Sequence, residues 1–288
     1  MYDYILITPV KDEGENLPFV LKSVTEQTTK PKVWLIVDDG STDNTSQIIQ
    51  NAEAKYDWIK SIRLAPHPRD ITFHYSFVCK TGFDEIISYC AGNGIEYHYI
   101  GLLDADTEIS HNFFKSLMDA MQKDISLGIV SGGIYHIVNG KLELGQSNED
   151  LPAGTGRLWR SECFFQTNGY VVEPSPDSIS NVKAVLRGWK IKKFKSAIAL
   201  ERRITSSAQG LWNGYRTNGA MAYYLNKHPV LVLFGSFSYS FQKKPYYIGL
   251  AYLYGYLLEW FRRSPKINDP EIRDYYWNER LKKYIKPS

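Results

Sequence analysis

The feature that most constrains the fold is an alternation along the amino-terminal half. Short β-branched or aromatic runs at Tyr4–Thr8, Val33–Val37, Ile59–Leu64 and His98–Leu103 read as strands. Between and after them, Leu17–Thr25, Thr45–Ala54, Phe83–Cys90 and Phe113–Met121 place apolar residues at helical spacing. Ser41-Thr42-Asp43 stands where it can cap the second helix, and Ser110 where it can cap the fourth. A chain that repeats strand and helix in this order predicts a parallel sheet with helices on both faces. Such sheets take ligands beyond the carboxyl ends of their strands, so polar residues there carry the most meaning.

The second half differs in kind. Gly128 to Gly145 is a mixed strand-like region, followed by a Gly/Pro-punctuated segment, a helix over Ile179–Leu186 and a basic strand over Lys190–Phe194. From about Thr205 the chain is rich in Tyr, Trp, Phe and Gly. The expected organisation is an α/β domain over 1–204 and a helical, aromatic-rich extension over 205–288. Charge divides similarly: residues 1–182 carry 14 Lys and Arg against 25 Asp and Glu, and residues 183–288 carry 20 against six. The acidic part suits metal ions, and the basic part suits phosphates or anionic headgroups. Lys190-Ile191-Lys192-Lys193-Phe194-Lys195 is unaccompanied by any nucleic-acid motif and reads as a solvated strand edge, so no nucleic-acid partner is expected.

At 288 residues, 43% hydrophobic and 23% charged, the composition excludes disordered and collagen-like chains. Cys79, Cys90 and Cys163 are odd in number and widely spaced, which argues against a disulfide framework or zinc knuckle and for a reducing compartment. The six histidines show no paired helical spacing for a metal. Met1 runs straight into Tyr2-Asp3-Tyr4-Ile5-Leu6-Ile7 without a basic n-region, so a cytoplasmic location is expected.

Two of the strands run into acidic clusters. Val33–Val37 leads into Asp38-Asp39-Gly40-Ser41-Thr42-Asp43, and His98–Leu103 leads into Asp104-Ala105-Asp106. In an extended segment residues i and i+2 share a face, so both carboxylates of the second cluster can approach one hard cation.

These segments, with Thr8-Pro9-Val10-Lys11-Asp12-Glu13 and Lys80-Thr81-Gly82-Phe83, resemble the family 2 glycosyltransferases over roughly residues 3–200. The resemblance implies a GT-A fold and a nucleotide-diphospho-sugar donor, with UDP-sugars the commonest. It also implies that Thr8, Pro9, Glu13, Asp38, Lys80 and Asp104 bind the donor nucleotide. Asp104 and Asp106 would hold Mg²⁺ or Mn²⁺ on the diphosphate. Such a cation neutralises charge on the leaving phosphate without proton transfer.

The family places a carboxylate on the acceptor side, usually a Glu-Asp pair before a helix. Here Pro176-Asp177 has proline in place of the first acid, leaving Asp177 as the general base and Glu173 as the weaker candidate. Asp177 can also be read as the helix N-cap, and both readings can hold together. Gly154, Thr155 and Gly156 resemble the loop under the donor sugar, and Trp212 and Arg216 sit where relatives place acceptor or diphosphate contacts, as do Glu201-Arg202-Arg203. The Gln-x-x-Arg-Trp of polymerising relatives is absent, so transfer of a single sugar to a glycan or lipid-linked glycan is expected. A polyprenyl-phosphate sugar synthase and a non-catalytic sugar-nucleotide binder are the alternatives; a pyrophosphorylase would need a Gly-rich basic loop after the first strand, which is missing.

The run from Tyr246 to Phe261 would be roughly 24 Å long as a helix, short of the approximately 30 Å hydrocarbon core. With Lys243-Lys244 before it and Arg262-Arg263 and Lys266 after it, this run reads as an interfacial helix on an anionic membrane face or as a helix buried in the protein.

Overall fold

The computed structural model describes residues 2–66, 73–138, 140–145, 151–202, 210–242 and 245–285. The chain forms two compact units, Met1–Arg202 and Arg203–Ser288. The boundary expected between 204 and 205, together with Arg203, His67 and Lys243-Lys244, lies outside the described residues.

In the first unit β1 (Tyr4–Val10), β2 (Val33–Asp38), β3 (Ile59–Arg63) and β4 (Tyr99–Leu102) pair in parallel in the order β3-β2-β1-β4. Val10 stands opposite Asp38, and Ile7 opposite both Leu35 and Leu102, so the carboxyl ends open on one edge. Helices cover both faces, which is why β1 and β2 read as continuous apolar runs. Leu6, Trp34 and Ile36 pack on one face with α1 (Leu17–Thr25), α2 (Thr45–Lys55) and α4 (Phe113–Lys123) through Val20, Ile49 and Phe114. Ile5, Ile7, Leu35 and Val37 point to the other face, towards Val78, Phe83 and Ile86 of α3 (Phe73–Gly92).

Beyond β4 the sheet becomes mixed. β8 (Arg157–Arg160) runs antiparallel to both β4 and β6 (Leu127–Val138), while β9 (Lys190–Glu201) runs parallel to β6. β5 (Thr107–Ile109) closes the edge against β9, and β7 (Lys141–Leu144) forms a hairpin on β6. Two helices, α5 (Ser161–Gln166) and α6 (Pro176–Leu186), complete the unit.

Several boundaries differ from expectation. The third helix spans Phe73–Gly92 rather than starting at Phe83, and His74, Tyr75 and Ser76 interrupt the apolar period there, which hides these turns from the sequence pattern. Lys80-Thr81-Gly82-Phe83 therefore lies inside α3. A Cβ on Gly82 would come 2.7 Å from Val37 Cγ2, so the glycine lets α3 lie close against the strands. The N-cap positions are Asn44 and Asn112, so the Ser41-Thr42-Asp43 segment reaches the second helix only through Asp43, and Ser110 does not cap the fourth through its side chain. Asp43 Oδ1 accepts the Thr45 N–H at 2.9 Å, and Ser110 offers its backbone carbonyl to the Phe113 N–H at 3.0 Å.

The second unit is helical: α7 (Leu211–Tyr224), α8 (Pro229–Gln242), α9 (Ile248–Arg262), α10 (Pro270–Asp274), a π turn over Tyr275–Glu279 and α11 (Arg280–Ile285). A Cβ at Gly219 would lie 1.9 Å from the Tyr252 carbonyl oxygen, and one at Gly255 2.0 Å from that of Arg216. Glycine at both positions brings the backbones of α7 and α9 together. Among the described residues no helix is long and apolar enough to cross a membrane.

Candidate active site

The site lies beyond the carboxyl ends of β1, β2 and β4. Two loops meet after β1 and β2. Asp12 takes a left-handed backbone (φ 53), and its N–H reaches Ser41 Oγ at 3.0 Å while its own Oδ1 accepts the Thr42 N–H at 2.7 Å. The Glu13 N–H donates to Thr45 Oγ1 at 2.9 Å, and Glu13 Oε2 accepts from Asn16 Nδ2 at 2.8 Å. These bonds tie the loop after β1 to the start of α2.

The predicted nucleoside residues divide by what their side chains do. Thr8 is fully buried, and its hydroxyl accepts from Trp34 Nε1 at 2.9 Å; Pro9 is buried in the same strand. Asp38 is also buried, with Oδ1 accepting the Ser41 N–H at 2.8 Å and Oδ2 the Ser46 hydroxyl at 2.6 Å. Arg63 approaches the same carboxylate at 3.7 Å and holds the Ser41 carbonyl at 2.8 Å. Lys80 pairs with Asp84 one helical turn on, at 2.7 Å.

Sequence reasoning passed over Asp39, Lys11 and His74 as a group. Asp39 Oδ1 lies 2.9 Å from His74 Nε2, and Lys11 Nζ donates to the Asp39 carbonyl at 2.7 Å. The Asp-Asp pair after β2 thus has one member turned into its own loop and one held by α3 and the loop after β1.

Asp104 follows β4. Its Oδ1 accepts from the Tyr75 hydroxyl at 2.6 Å, and its N–H donates to Thr155 Oγ1 at 2.9 Å. Thr155 Oγ1 donates in turn to Thr107 Oγ1 at 3.2 Å. Burial, then the charge of Asp106, pushes the Asp104 carboxyl up to about 7, with Glu13 adding to the rise. Glu13 and Asp106 therefore both lie within electrostatic reach of Asp104.

That surplus of negative charge fits a hard divalent cation, and two carboxylates are donors of the correct chemistry. Among the described residues no group of three or more His, Cys, Asp or Glu side chains assembles into a metal cage. Asp104 and Asp106 would supply a pair of protein oxygens, leaving positions for ligand phosphates, as Mg²⁺ sites at nucleotides commonly do.

The loop before β8 joins this acidic end to α6. Gly154 lies against Asp177, since a Cβ on the glycine would sit 3.9 Å from Asp177 Cβ. Gly156 has φ 57, and its missing Cβ would stand 2.9 Å from Phe113 Cζ, so only glycine suits this position. Asp177 is in the first turn of α6, while the N-cap is Ser175 in a left-handed conformation. The N-cap reading of Asp177 is corrected accordingly: the helix starts at Pro176, ahead of the apolar run that marks its body.

Arg157 holds this arrangement and was not singled out in the sequence. It is fully buried, and it donates to Asn181 Oδ1 at 2.6 Å and to the carbonyls of Ala153 and Asp177 at 3.3 Å each. Its guanidinium lies 4.6 Å from the Trp159 ring centre. Burial pulls Arg157 down to about 10, opposed by the charge of Asp177. Tyr170, also buried, lies within electrostatic reach of Asp177 and Asp104, and burial raises its phenol above the usual range. Trp212 and Arg216 belong to α7 in the second unit, where the Trp212 ring lies 6.1 Å from that of Tyr247.

A mixed sheet with acidic strand ends, an Asp-x-Asp after its fourth strand and helices on both faces defines a GT-A-type nucleotide-sugar fold. The glycosyl transferase family 2 profile matches residues 5–177, and the chain belongs to that family. Family membership supports a role in glycosyl transfer. No curated protein is significantly similar in sequence.

Solved structures share the fold. S. aureus TarS is 18% identical with a TM-score of 0.54, over 83% of this chain and 44% of TarS. The chain thus spans less than half the length of that structure. TarS 1–349 in complex with UDP-GlcNAc is 18% identical with a TM-score of 0.53, over 75% of this chain and 65% of the other. The mannosyltransferase PcManGT from Pyrobaculum calidifontis, in complex with GDP-Man and Mn²⁺, is 13% identical with a TM-score of 0.56, over 91% and 87%.

Proposed function

We propose that the protein is an inverting glycosyltransferase that moves one sugar from a nucleotide-diphospho-sugar, UDP-sugars foremost, to a hydroxyl of a glycan or lipid-linked glycan. The observation that carries this reading is the loop of residues 153–156, which touches Asp104 through Thr155 and Asp177 through Gly154. That shared loop supports reading one acidic group as the donor-diphosphate side and the second as the acceptor side.

In this reading Pro9, Glu13 and the Asp38-Asp39 turn form the nucleoside end. The raised charge density at Asp104 and Asp106 selects a Mg²⁺- or Mn²⁺-bound diphosphate over a free one. Such a cation would supply neutralisation of the charge that develops on the departing diphosphate. Asp177 takes the proton of the acceptor hydroxyl as its oxygen attacks the anomeric carbon. The leaving group departs from the opposite face, and a single displacement inverts the anomeric configuration. Arg157 positions Asp177 by holding its carbonyl and that of Ala153 with one rigid fork.

A panel of nucleotide-sugars, each incubated with and without Mn²⁺ and assayed for released nucleotide diphosphate, tests the proposal. Release from at least one donor is expected. Binding without release, in the presence of varied glycan acceptors, would favour a non-catalytic sugar-nucleotide binder.

A further inference from the structure

The second unit carries an apolar surface that the transfer reading does not use. Along α8, Val230, Leu233, Phe234, Phe237 and Phe241 are all exposed, Phe237 to 61% and Phe241 to 78%. Their spacing sets them on one side of the helix. Along α9, Leu250, Tyr254, Leu257 and Phe261 recur at similar spacing, with Phe261 exposed to 80%.

The two helices pack against each other, with Ser236 Oγ donating to the Gly249 carbonyl at 2.8 Å. Between the start of α8 and the end of α9 lies an apolar cavity of about 250 Å³, lined by Val232 and Leu233 on one side and by Leu257, Trp260 and Phe261 on the other. So much exposed Phe and Leu on one hairpin is a binding surface rather than ordinary scatter.

Its charged border selects the partner. From Lys227 to Asn268 the sequence has six Lys and Arg and a single acid, Glu259, although Lys227 is turned inward, its Nζ donating to the Tyr252 hydroxyl at 3.1 Å. That acid is engaged, accepting from Ser264 Oγ at 2.6 Å and from Arg262 at 3.4 Å. Arg262 and Arg263 follow the exposed Phe261, and the sequence places Lys243-Lys244 just after the exposed Phe241. Lys266, expected to join this border, is turned inward: its Nζ donates to Asn226 Oδ1 at 2.7 Å and lies over the Tyr223 ring. A second copy on this face would set like charges together, whereas anionic headgroups complement them. α9 is about 22 Å long and cannot span a bilayer, but a hairpin of this kind suits the interface.

We propose that the outer face of the α8–α9 hairpin is a docking surface for an anionic bilayer, with Phe237, Phe241, Leu250 and Phe261 entering the acyl boundary and a hydrocarbon chain filling the cavity beside Trp260. This surface stands independently of the donor chemistry.

The test uses the full chain with vesicles of phosphatidylcholine, with or without phosphatidylglycerol. Sedimentation with the anionic vesicles at low salt, and its loss at high salt, is expected. The double variant Phe241→Glu with Phe261→Glu should weaken partitioning by more than about tenfold while nucleotide diphosphate release into water stays unchanged. Both side chains are largely exposed, so folding should survive, as circular dichroism would verify. No sedimentation of the wild type, or undiminished sedimentation of the variant, would overturn the proposal. So would a stable wild-type dimer that the same variant dissociates without any vesicle binding. Vesicle binding by a protein inactive towards every donor would leave this surface standing and sink only the transfer reading.

Discussion

Thr155 Oγ1 accepts the backbone N–H of Asp104 at 2.9 Å, joining residues 51 positions apart in sequence. Thr155→Val keeps the shape of the side chain and removes the acceptor. The part-buried Asp104 N–H, just past the end of β4, is then left unpaired, at a cost of about 1–3 kcal/mol. Urea unfolding should show this loss, and donor KM should rise as Asp104 loosens. A variant with wild-type stability and KM would show that the bond positions nothing.

Arg157→Leu should destabilise the first unit by about 2–4 kcal/mol, because Asn181 Oδ1 and two carbonyls lose their charged donor together. Arg157→Lys should recover only part of that, since an ammonium cannot reproduce the fork. Equal denaturation midpoints for the wild type and the Arg157→Lys variant would refute the fork's role.

Gly219→Ala should loosen the second unit. The new Cβ would meet the Tyr252 carbonyl oxygen, a backbone atom that moves only with α9 itself. Overpacking of this kind costs about 1–3 kcal/mol or more. Limited proteolysis should cleave residues 210–285 faster while the first unit resists; an unchanged cleavage pattern would argue against close α7–α9 packing.

Asp177→Asn should leave folding and donor binding intact and lower transfer by about 10²–10⁴-fold, the usual worth of a general base. Thermal melts and donor titrations check the first part, and acceptor-dependent turnover the second. Wild-type turnover would move the base to Glu173.

Within the parallel half of the sheet β1, β2 and β4 were legible because they are buried on both faces and run into turn residues together with Asp38, Asp104 and Asp106. α3 was harder to read: Tyr75 looks like another core aromatic until its hydroxyl is found on Asp104, 29 residues away. β8 has only four residues and lies inside the Gly/Pro-punctuated segment, where the sequence pattern marks no strand. Arg157, inside it, was not singled out because its partners on α6 come from a distant stretch of sequence. His74 was set aside for lack of a second histidine at helical spacing, whereas its partner in space is Asp39. Long-range pairing of polar groups leaves no periodic signal, and much of the site's positioning machinery is of that type.

The most direct measurement is nucleotide diphosphate release by the wild type and by Asp106→Ala, each with the preferred donor and acceptor in matched Mn²⁺ and EDTA. Wild-type release in Mn²⁺ is expected, falling by at least about 10²-fold in EDTA and in the variant, as loss of several kcal/mol of charge neutralisation requires. Undiminished release in EDTA, or by Asp106→Ala, would contradict a metal–diphosphate site at Asp104 and Asp106.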